Sequence, residues 1–293
     1  MKEGPSTFEM PQFRRIAVVG AGLIGGSVLL AAARRQAAGS LACWSRSPEA
    51  RALLKGYGVA EVFDQPADAV RGADVVVVAT PVDKMEETFR QITPGLDPGA
   101  LVTDAGSVKA AIQAAARALP AGVTFVGAHP MAGKEKAGAA HASADLYVDR
   151  PCFITPTGAE PAEMVRRTHA FWQALGCRTV ECGAQRHDEI VAAISHVPHA
   201  SASALMLAVA SLPGFDAAAA GSGLKDATRV AAGEENLWVG ILMANAQHVA
   251  AGLQAAEAQT ARLRRALEAG DAAAVRQILA DARVARQSLD RPA

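Results

Sequence analysis

Residues 15–20, RIAVVG, are a short β-branched run that stops on a glycine, and Gly20-Ala21-Gly22-Leu23-Ile24-Gly25 then forms a GxGxxG loop opening onto an Ala- and Leu-rich helical stretch at 23–38. No other feature of the chain narrows its fold so far. A strand, a glycine turn and a helix in immediate succession form the first unit of a dinucleotide-binding sheet. Gly20 permits the tight turn, Gly22 lets the backbone approach a pyrophosphate, and Gly25 allows the helix to pack closely on the strand. Leu23 and Ile24 open the helix, whose N-terminal N–H groups and partial positive charge suit phosphate.

The pattern continues beyond the loop. Strands are predicted at 40–45, 75–80, 100–104, 123–128 and 152–156, with helical stretches such as Val108–Leu119 between them. Four consecutive valines at 75–78 suit a strand buried on both faces, as in a parallel sheet. A helix at 162–175 and a strand at 178–182 complete this region. The strand signals then cease. Residues 185–211 read as a helix that Pro198 should kink or restart. Residues 234–269 read as one long helix, with Leu242, Val249, Leu253, Leu263 and Leu267 near one stripe. Gly270 ends it, Asp271 caps the next helix, and Val275, Ile278 and Leu279 give that helix an apolar face. The fold class expected is α/β: an N-terminal Rossmann-type, doubly wound, mostly parallel sheet followed by an all-α C-terminal domain. The boundary is placed at 183, giving a dinucleotide-binding domain at 1–183, with 1–13 as a flexible leader, and a helical substrate and dimerisation domain at 184–293. So long a helix argues for a homodimer packed through the C-terminal helices, with a purely intramolecular core as the alternative.

With 29 basic and 29 acidic residues among 293, the formal net charge is zero, so no electrostatic case for nucleic acid or an anionic membrane arises. Cys43, Cys152, Cys177 and Cys182 form no CxxC pair and no metal-ligand spacing, which reads as reduced thiols in a cytoplasmic protein with no metal. The first residues lack the basic start and apolar stretch of a signal peptide. No segment reads as an uncharged apolar run near the ~20 residues that span a bilayer, so no membrane association is expected.

The end of the second strand bears on cofactor choice. An NAD site usually places a carboxylate there for the ribose 2′-hydroxyl, but here the segment is Trp44-Ser45-Arg46-Ser47, with no carboxylate before Glu49. Ser45, Arg46 and Ser47 would instead suit a 2′-phosphate, so NADP is expected in preference to NAD. Thr80 and Pro81, at the end of the 75–80 strand, join the cofactor set. Two further segments place polar residues directly beyond strands, where ligands collect in this fold: Asp104-Ala105-Gly106-Ser107-Val108-Lys109 and Gly127-Ala128-His129-Pro130-Met131. Oxidising an alcohol requires removal of the hydroxyl proton as hydride leaves, and an imidazole does this best near neutral pH. His129 is therefore the leading general base, the alternative being a loop brace. Ser107 either orients that imidazole or the substrate hydroxyl, caps the helix beginning there, or does both.

GAGLIGGS, ATPV, DAGSVK and GAHPMAGKEKAG, in this order, together with SHVPHA (195–200) and GSGLKDATRVAAGEENLW (221–238), resemble the prephenate/arogenate dehydrogenase family of tyrosine biosynthesis over roughly residues 14–280. The resemblance implies a cyclohexadienyl dianion as substrate. Its carbinol carbon gives hydride to nicotinamide, and its ring carboxylate is lost as carbon dioxide. It also implies that His129 bonds the ring hydroxyl, that Ser107 supports this contact and approaches the nicotinamide, and that Arg229 anchors a substrate carboxylate. His196 is expected to line the substrate pocket, Glu135 to gate it or pair with Lys134, and Asp226 to position Arg229. His196 and His199, three residues apart, could share one helical face, but no further ligands at metal spacing accompany them. His141, His169, His187 and His248 read as surface or helix-face residues. Arogenate in place of prephenate, another Rossmann-plus-helices dehydrogenase, and a non-catalytic dinucleotide sensor are the competing readings.

Overall fold

A computed structural model describes residues 12–134, 136 and 138–290. Eight strands form one sheet: β1 (Phe13–Val19), β2 (Ala38–Trp44), β3 (Glu61–Phe63), β4 (Val75–Val78), β5 (Leu101–Asp104), β6 (Thr124–Pro130), β7 (Pro151–Thr155) and β8 (Arg178–Glu181). Their order is β3-β2-β1-β4-β5-β6-β7-β8. All neighbours are parallel except β6 and β7, which run antiparallel with His129 opposite Phe153. The mostly parallel, doubly wound sheet is the one anticipated.

Alternation along the central strands explains why the sheet needs helices on both faces. Ile16, Val18, Val75 and Val77 enter one core with Val28 and Leu29 of α1 (Leu23–Arg34), Leu54 of α2 (Pro48–Tyr57), and Phe171 and Trp172 of α6 (Ala162–Ala174). Ala17, Val19, Val76 and Val78 enter the other. That side holds Val70 of α3 (Pro66–Val70), Met85, Phe89 and Ile92 of α4 (Met85–Ile92), and Ile112 of α5 (Ala110–Ala115). A strand apolar on both sides is stable only between two helical layers.

Several boundaries differ from the sequence reading. The leader expected over 1–13 overlaps β1, because Phe13 is buried and meets Phe171 edge-on at 5.8 Å; residues 1–11 lie outside the described residues. The helix expected over 23–38 ends at Arg34, where Gln36 takes a positive φ of 53° and Ala37 N–H bonds Ala32 O at 3.0 Å, turning the chain into β2. The helix read as running from 234 to 269 is two, α10 (Glu235–Ala244) and α11 (Ala246–Glu268), broken at Asn245. Its buried side chain donates from Nδ2 to Asp188 O at 2.8 Å, a bond that competes with helix continuation.

Contacts divide the chain into two compact units, 1–191 with 232–245, and 192–231 with 246–293. The single boundary expected at 183 therefore departs from the packing in two places. α7 (Ala184–Val191) belongs with the sheet because Asp188 binds the start of α5. α10 belongs there because it packs on the turn at 82–84 and its C-cap Asn245 binds Asp188.

The second unit is helical. α8 (Val197–Ala210) follows a π turn at Ala192–His196. Pro198 has no N–H for the carbonyl of Ile194, and its ring crowds that carbonyl, so the wider turn falls where a regular helix would clash. α9 (Ser222–Thr228) packs on α8, and α11 packs on α8 and on α12 (Ala272–Gln287). Gly252 makes the α11–α8 approach possible: a Cβ there would lie 2.4 Å from Val197 Cγ2. Gly270 (φ +67°) ends α11 and the Asp271 carboxylate caps α12 at Ala274 N, 2.9 Å, as the sequence suggested.

The sequence reading of apolar runs needs one correction. The helix from Ala184 to Ala210 has 27 residues and an 18-residue window of mean hydropathy 1.4, long and apolar enough by composition to cross a bilayer. Only 28% of that window is buried. Residues 190–215 carry no Asp, Glu, Lys or Arg, so the run is uncharged throughout. The four cysteines are free thiols, and burial pushes Cys43 up to about 12.

Candidate active site

Because β1, β4, β5 and β6 are parallel and adjacent, their carboxyl ends share one edge of the sheet. That edge carries, in order, the glycine loop, Thr80-Pro81, Asp104–Ser107 and His129. The glycine geometry fits a dinucleotide. Gly20 has φ +93°, and a Cβ on it would lie 2.8 Å from Ala79 backbone atoms, so only glycine makes this turn without strain. A Cβ on Gly25 would lie 2.5 Å from Gly20 O and 2.9 Å from Val18 Cγ1, the tight contact of helix on strand. Gly22, by contrast, has nothing within 4 Å of an added Cβ. It is also the N-cap of α1, and it contributes no side chain to that helix end. An open glycine beside a helix N-terminus is a cradle that a phosphate can enter and a side chain would fill. Leu23 and Ile24 are half-buried in the first turn, and Ile24 O accepts from Tyr147 Oη at 2.6 Å.

At the end of β2, Ser45 is buried, Arg46 exposed and Ser47 half-buried. The Ser47 hydroxyl caps α2 through Ala50 N at 3.1 Å and donates to Glu49 at 2.7 Å. That bond holds the Glu49 carboxyl below its ordinary range. Arg51 donates from Nη1 to Ser45 O (2.7 Å) and Arg46 O (3.1 Å), so a second guanidinium braces the loop. Thr80 Oγ1 bonds Thr88 Oγ1 at 3.1 Å, and exposed Pro81 is the N-cap of the turn at 82–84.

His129 sits at the end of β6 with 8% of its surface exposed. Its Nδ1 lies 2.8 Å from His187 Nε2, and His187 Nδ1 lies 2.8 Å from Asp188 Oδ1. Asp188 in turn accepts from Lys109 N (2.7 Å, Oδ1) and Ala110 N (2.9 Å, Oδ2). The two imidazoles meet at 68° with centroids 5.0 Å apart, and Phe153 packs edge-on to His187 at 5.2 Å. Burial alone would raise the Asp188 carboxyl. The hydrogen bonds from His187 and from the Ala110 and Lys109 amides outweigh it and hold the group below the ordinary carboxylate range. Burial is also the largest influence on His187 and lowers it, the Lys109 ammonium adding to the effect against the Asp188 hydrogen bond.

Beneath this chain lies a buried ion pair. Lys109, fully buried, pairs through Nζ with Asp104 Oδ2 and donates to Ala128 O at 2.6 Å. Asp104 also accepts from Gly106 N (2.8 Å) and Ala128 N (3.0 Å). Both charges thus clamp the backbone immediately before His129. Burial drives the Lys109 ammonium below its usual value despite Asp104.

The surface reading of His187 is therefore wrong: its side chain is 0% exposed and touches the predicted base. Asp188, Asp104 and Lys109 were not among the predicted site residues. The one available signal was a charge at each end of DAGSVK, next to an apolar strand. The sequence also allowed Ser107 to cap the helix beginning there. Asp188 does so instead: Ser107 lies half-buried two residues before the N-cap Lys109.

The remaining predicted residues belong to the second unit or fall outside the description. Arg229 is exposed at the C-terminal end of α9, and Asp226 is exposed on α9. His196 is fully buried in the π turn, and His199 is buried one turn on, where burial lowers its pKa. Glu135 lies outside the described residues, and Lys134 donates to His141 O at 2.8 Å.

Two domain models and several known proteins match the chain. Residues 30–181 match the prephenate dehydrogenase nucleotide-binding domain, and residues 183–281 the prephenate dehydrogenase dimerization domain. The cyclohexadienyl dehydrogenase of Zymomonas mobilis is 31% identical over 271 residues, covering 89% of this chain and 91% of that protein. The prephenate dehydrogenase of Lactococcus lactis is 31% identical over 242 residues, 79% of this chain, which spans 65% of that longer relative. Among solved structures, prephenate dehydrogenase from A. aeolicus in complex with hydroxyphenyl propionate and NAD+ superposes with a TM-score of 0.87 at 25% identity, covering 97% of this chain and 100% of that one. Synechocystis arogenate dehydrogenase gives a TM-score of 0.79 at 28% identity, with 94% and 99% covered. The chain belongs to the prephenate dehydrogenase family of NAD(P)-dependent oxidoreductases.

Proposed function

We propose that this protein is a prephenate dehydrogenase of the cytoplasm that oxidatively decarboxylates prephenate to 4-hydroxyphenylpyruvate, with NADP as the preferred cofactor. The observation that carries the reading is His129, a nearly buried imidazole held by a second histidine at the sheet edge that also carries the glycine loop. Bound nicotinamide supplies the hydride acceptor. His129 takes the hydroxyl proton as the carbinol carbon is oxidised, and returns it to the ring oxygen when loss of the carboxylate as carbon dioxide makes the ring aromatic. Ser107, on the next strand end, supports the hydroxyl contact and approaches the nicotinamide.

Gly20, Gly22, Leu23, Ile24 and Gly25 hold the pyrophosphate, with Thr80 and Pro81 beside it. Ser45 and Arg46 face the 2′-phosphate; Ser47 shapes that loop, because its hydroxyl is engaged by Ala50 and Glu49. Arg229 is assigned a substrate carboxylate on the family resemblance, with His196, Asp226 and Glu135 in supporting roles. Arogenate is the second reading, favoured by the match over 91% of a relative named cyclohexadienyl dehydrogenase.

Two substitutions separate the roles. His129→Ala should lower kcat by roughly 10²–10⁴-fold, the range for a general base. Arg229→Ala should chiefly raise KM, by about ten- to a hundredfold, the equivalent of one charge-assisted hydrogen bond. Wild-type kcat in His129→Ala would remove the base from the mechanism.

A further inference from the structure

The chain His129–His187–Asp188 admits only certain protonation states. An ionised Asp188 is an acceptor only, and the amides of Lys109 and Ala110 hold it ionised. His187 Nδ1 must therefore carry the proton shared with Asp188. A neutral His187 then has its lone pair on Nε2 and can only accept from its neighbour. The group 2.8 Å away is His129 Nδ1, which must be the N–H donor. Neutral His129 consequently keeps its own lone pair on Nε2, the nitrogen on the far side of the ring from His187.

Protonation of His187 inverts this order. Both its nitrogens become donors, and His129 Nδ1 must become the acceptor with its proton moved to Nε2. An imidazole in that state cannot accept a proton at Nε2. Among the described residues, the charged and titratable groups against His187 include Asp188, His129, Lys109 and Asp104. Burial and the Lys109 ammonium both act against a charged His187, which favours the first state at neutral pH.

We propose that His187, oriented by Asp188, is a positioning residue that sets His129 in its Nδ1–H tautomer and so makes Nε2 the proton acceptor. This rests on the assignment of His129 to the substrate hydroxyl. When Nε2 takes the proton, the imidazolium keeps its Nδ1–H bond to His187, and the Asp188 carboxylate lies one residue further along to offset the charge. The ring orientation is fixed as well, by Phe153 on one edge of His187 and the start of α5 on Asp188.

Ring-nitrogen NMR of histidine-labelled protein at neutral pH reads the tautomer directly, and steady-state kinetics reads its consequence. In the wild type, His129 should carry its proton on Nδ1; a proton on Nε2 overturns the proposal. His187→Phe should release His129 toward the Nε2–H form and lower kcat on the order of 10²-fold, with KM within about twofold. His187→Gln can present an amide oxygen to Nδ1–H and should recover about tenfold of that loss. Wild-type kcat and an unchanged His129 tautomer in His187→Phe overturn the positioning role. His129→Ala separates this outcome from failure of the underlying assignment. Wild-type kcat there overturns both, whereas loss of kcat in His129→Ala without loss in His187→Phe overturns positioning alone.

Discussion

Gly22 and Gly25, three residues apart in one motif, meet different surroundings, and a methyl group on each distinguishes binding from packing. Gly25→Ala places a Cβ 2.5 Å from Gly20 O, a backbone atom that cannot swing away, so α1 must lift from β1. This variant should lose about 1–3 kcal/mol of stability in denaturant titration. Gly22→Ala meets nothing within 4 Å. It should unfold at the wild-type denaturant concentration while binding dinucleotide more weakly in calorimetry. Equal stability loss in both variants would contradict a phosphate-facing role for Gly22. These glycines were legible in the sequence because each acts within its own local turn. The His187–Asp188 pair was not, because its partners lie 58 and 79 residues away in the chain and no local spacing encodes such a contact. Lys109 and Asp104 stood in view in DAGSVK, but their full burial depends on contacts distant in the chain, such as those to Ala128 N and O.

Among the elements, strands were read best, since a doubly buried strand is an unbroken apolar run with few competing interpretations. Helix ends were read less well. α10 and α11 look continuous in an Ala-rich stretch that holds no Pro and whose glycines, Gly240 and Gly252, lie inside the helices, and the break comes from a tertiary hydrogen bond at Asn245. The π turn before Pro198 was visible only as a kink. α12 raises a separate question, for none of its 16 residues is buried. On α8 only His199 and Ala202 are buried, while Leu207 is 74% exposed. A helix of this length gains little stability without a packed face. These faces fit a second copy of the chain, as the match of residues 183–281 to a dimerization domain suggests. Sedimentation equilibrium at micromolar concentration should give a dimer mass; a monomer there would contradict the homodimer reading.

At the scale of the molecule, the sheet brings the glycine loop and His129 to one edge, while Arg229 lies in the helical unit. The fold class followed from strand–helix alternation alone. The chemistry came from HPMAG and GLKDATR, whose polar residues have no packing role that composition would predict. The substrate is the claim on which every assigned residue depends. It is tested most directly by offering purified protein prephenate or arogenate, each with NAD or NADP, and following reduced cofactor. The highest kcat/KM is expected for prephenate with NADP, with carbon dioxide released in step with each hydride transferred. No turnover of prephenate with either cofactor would contradict the account.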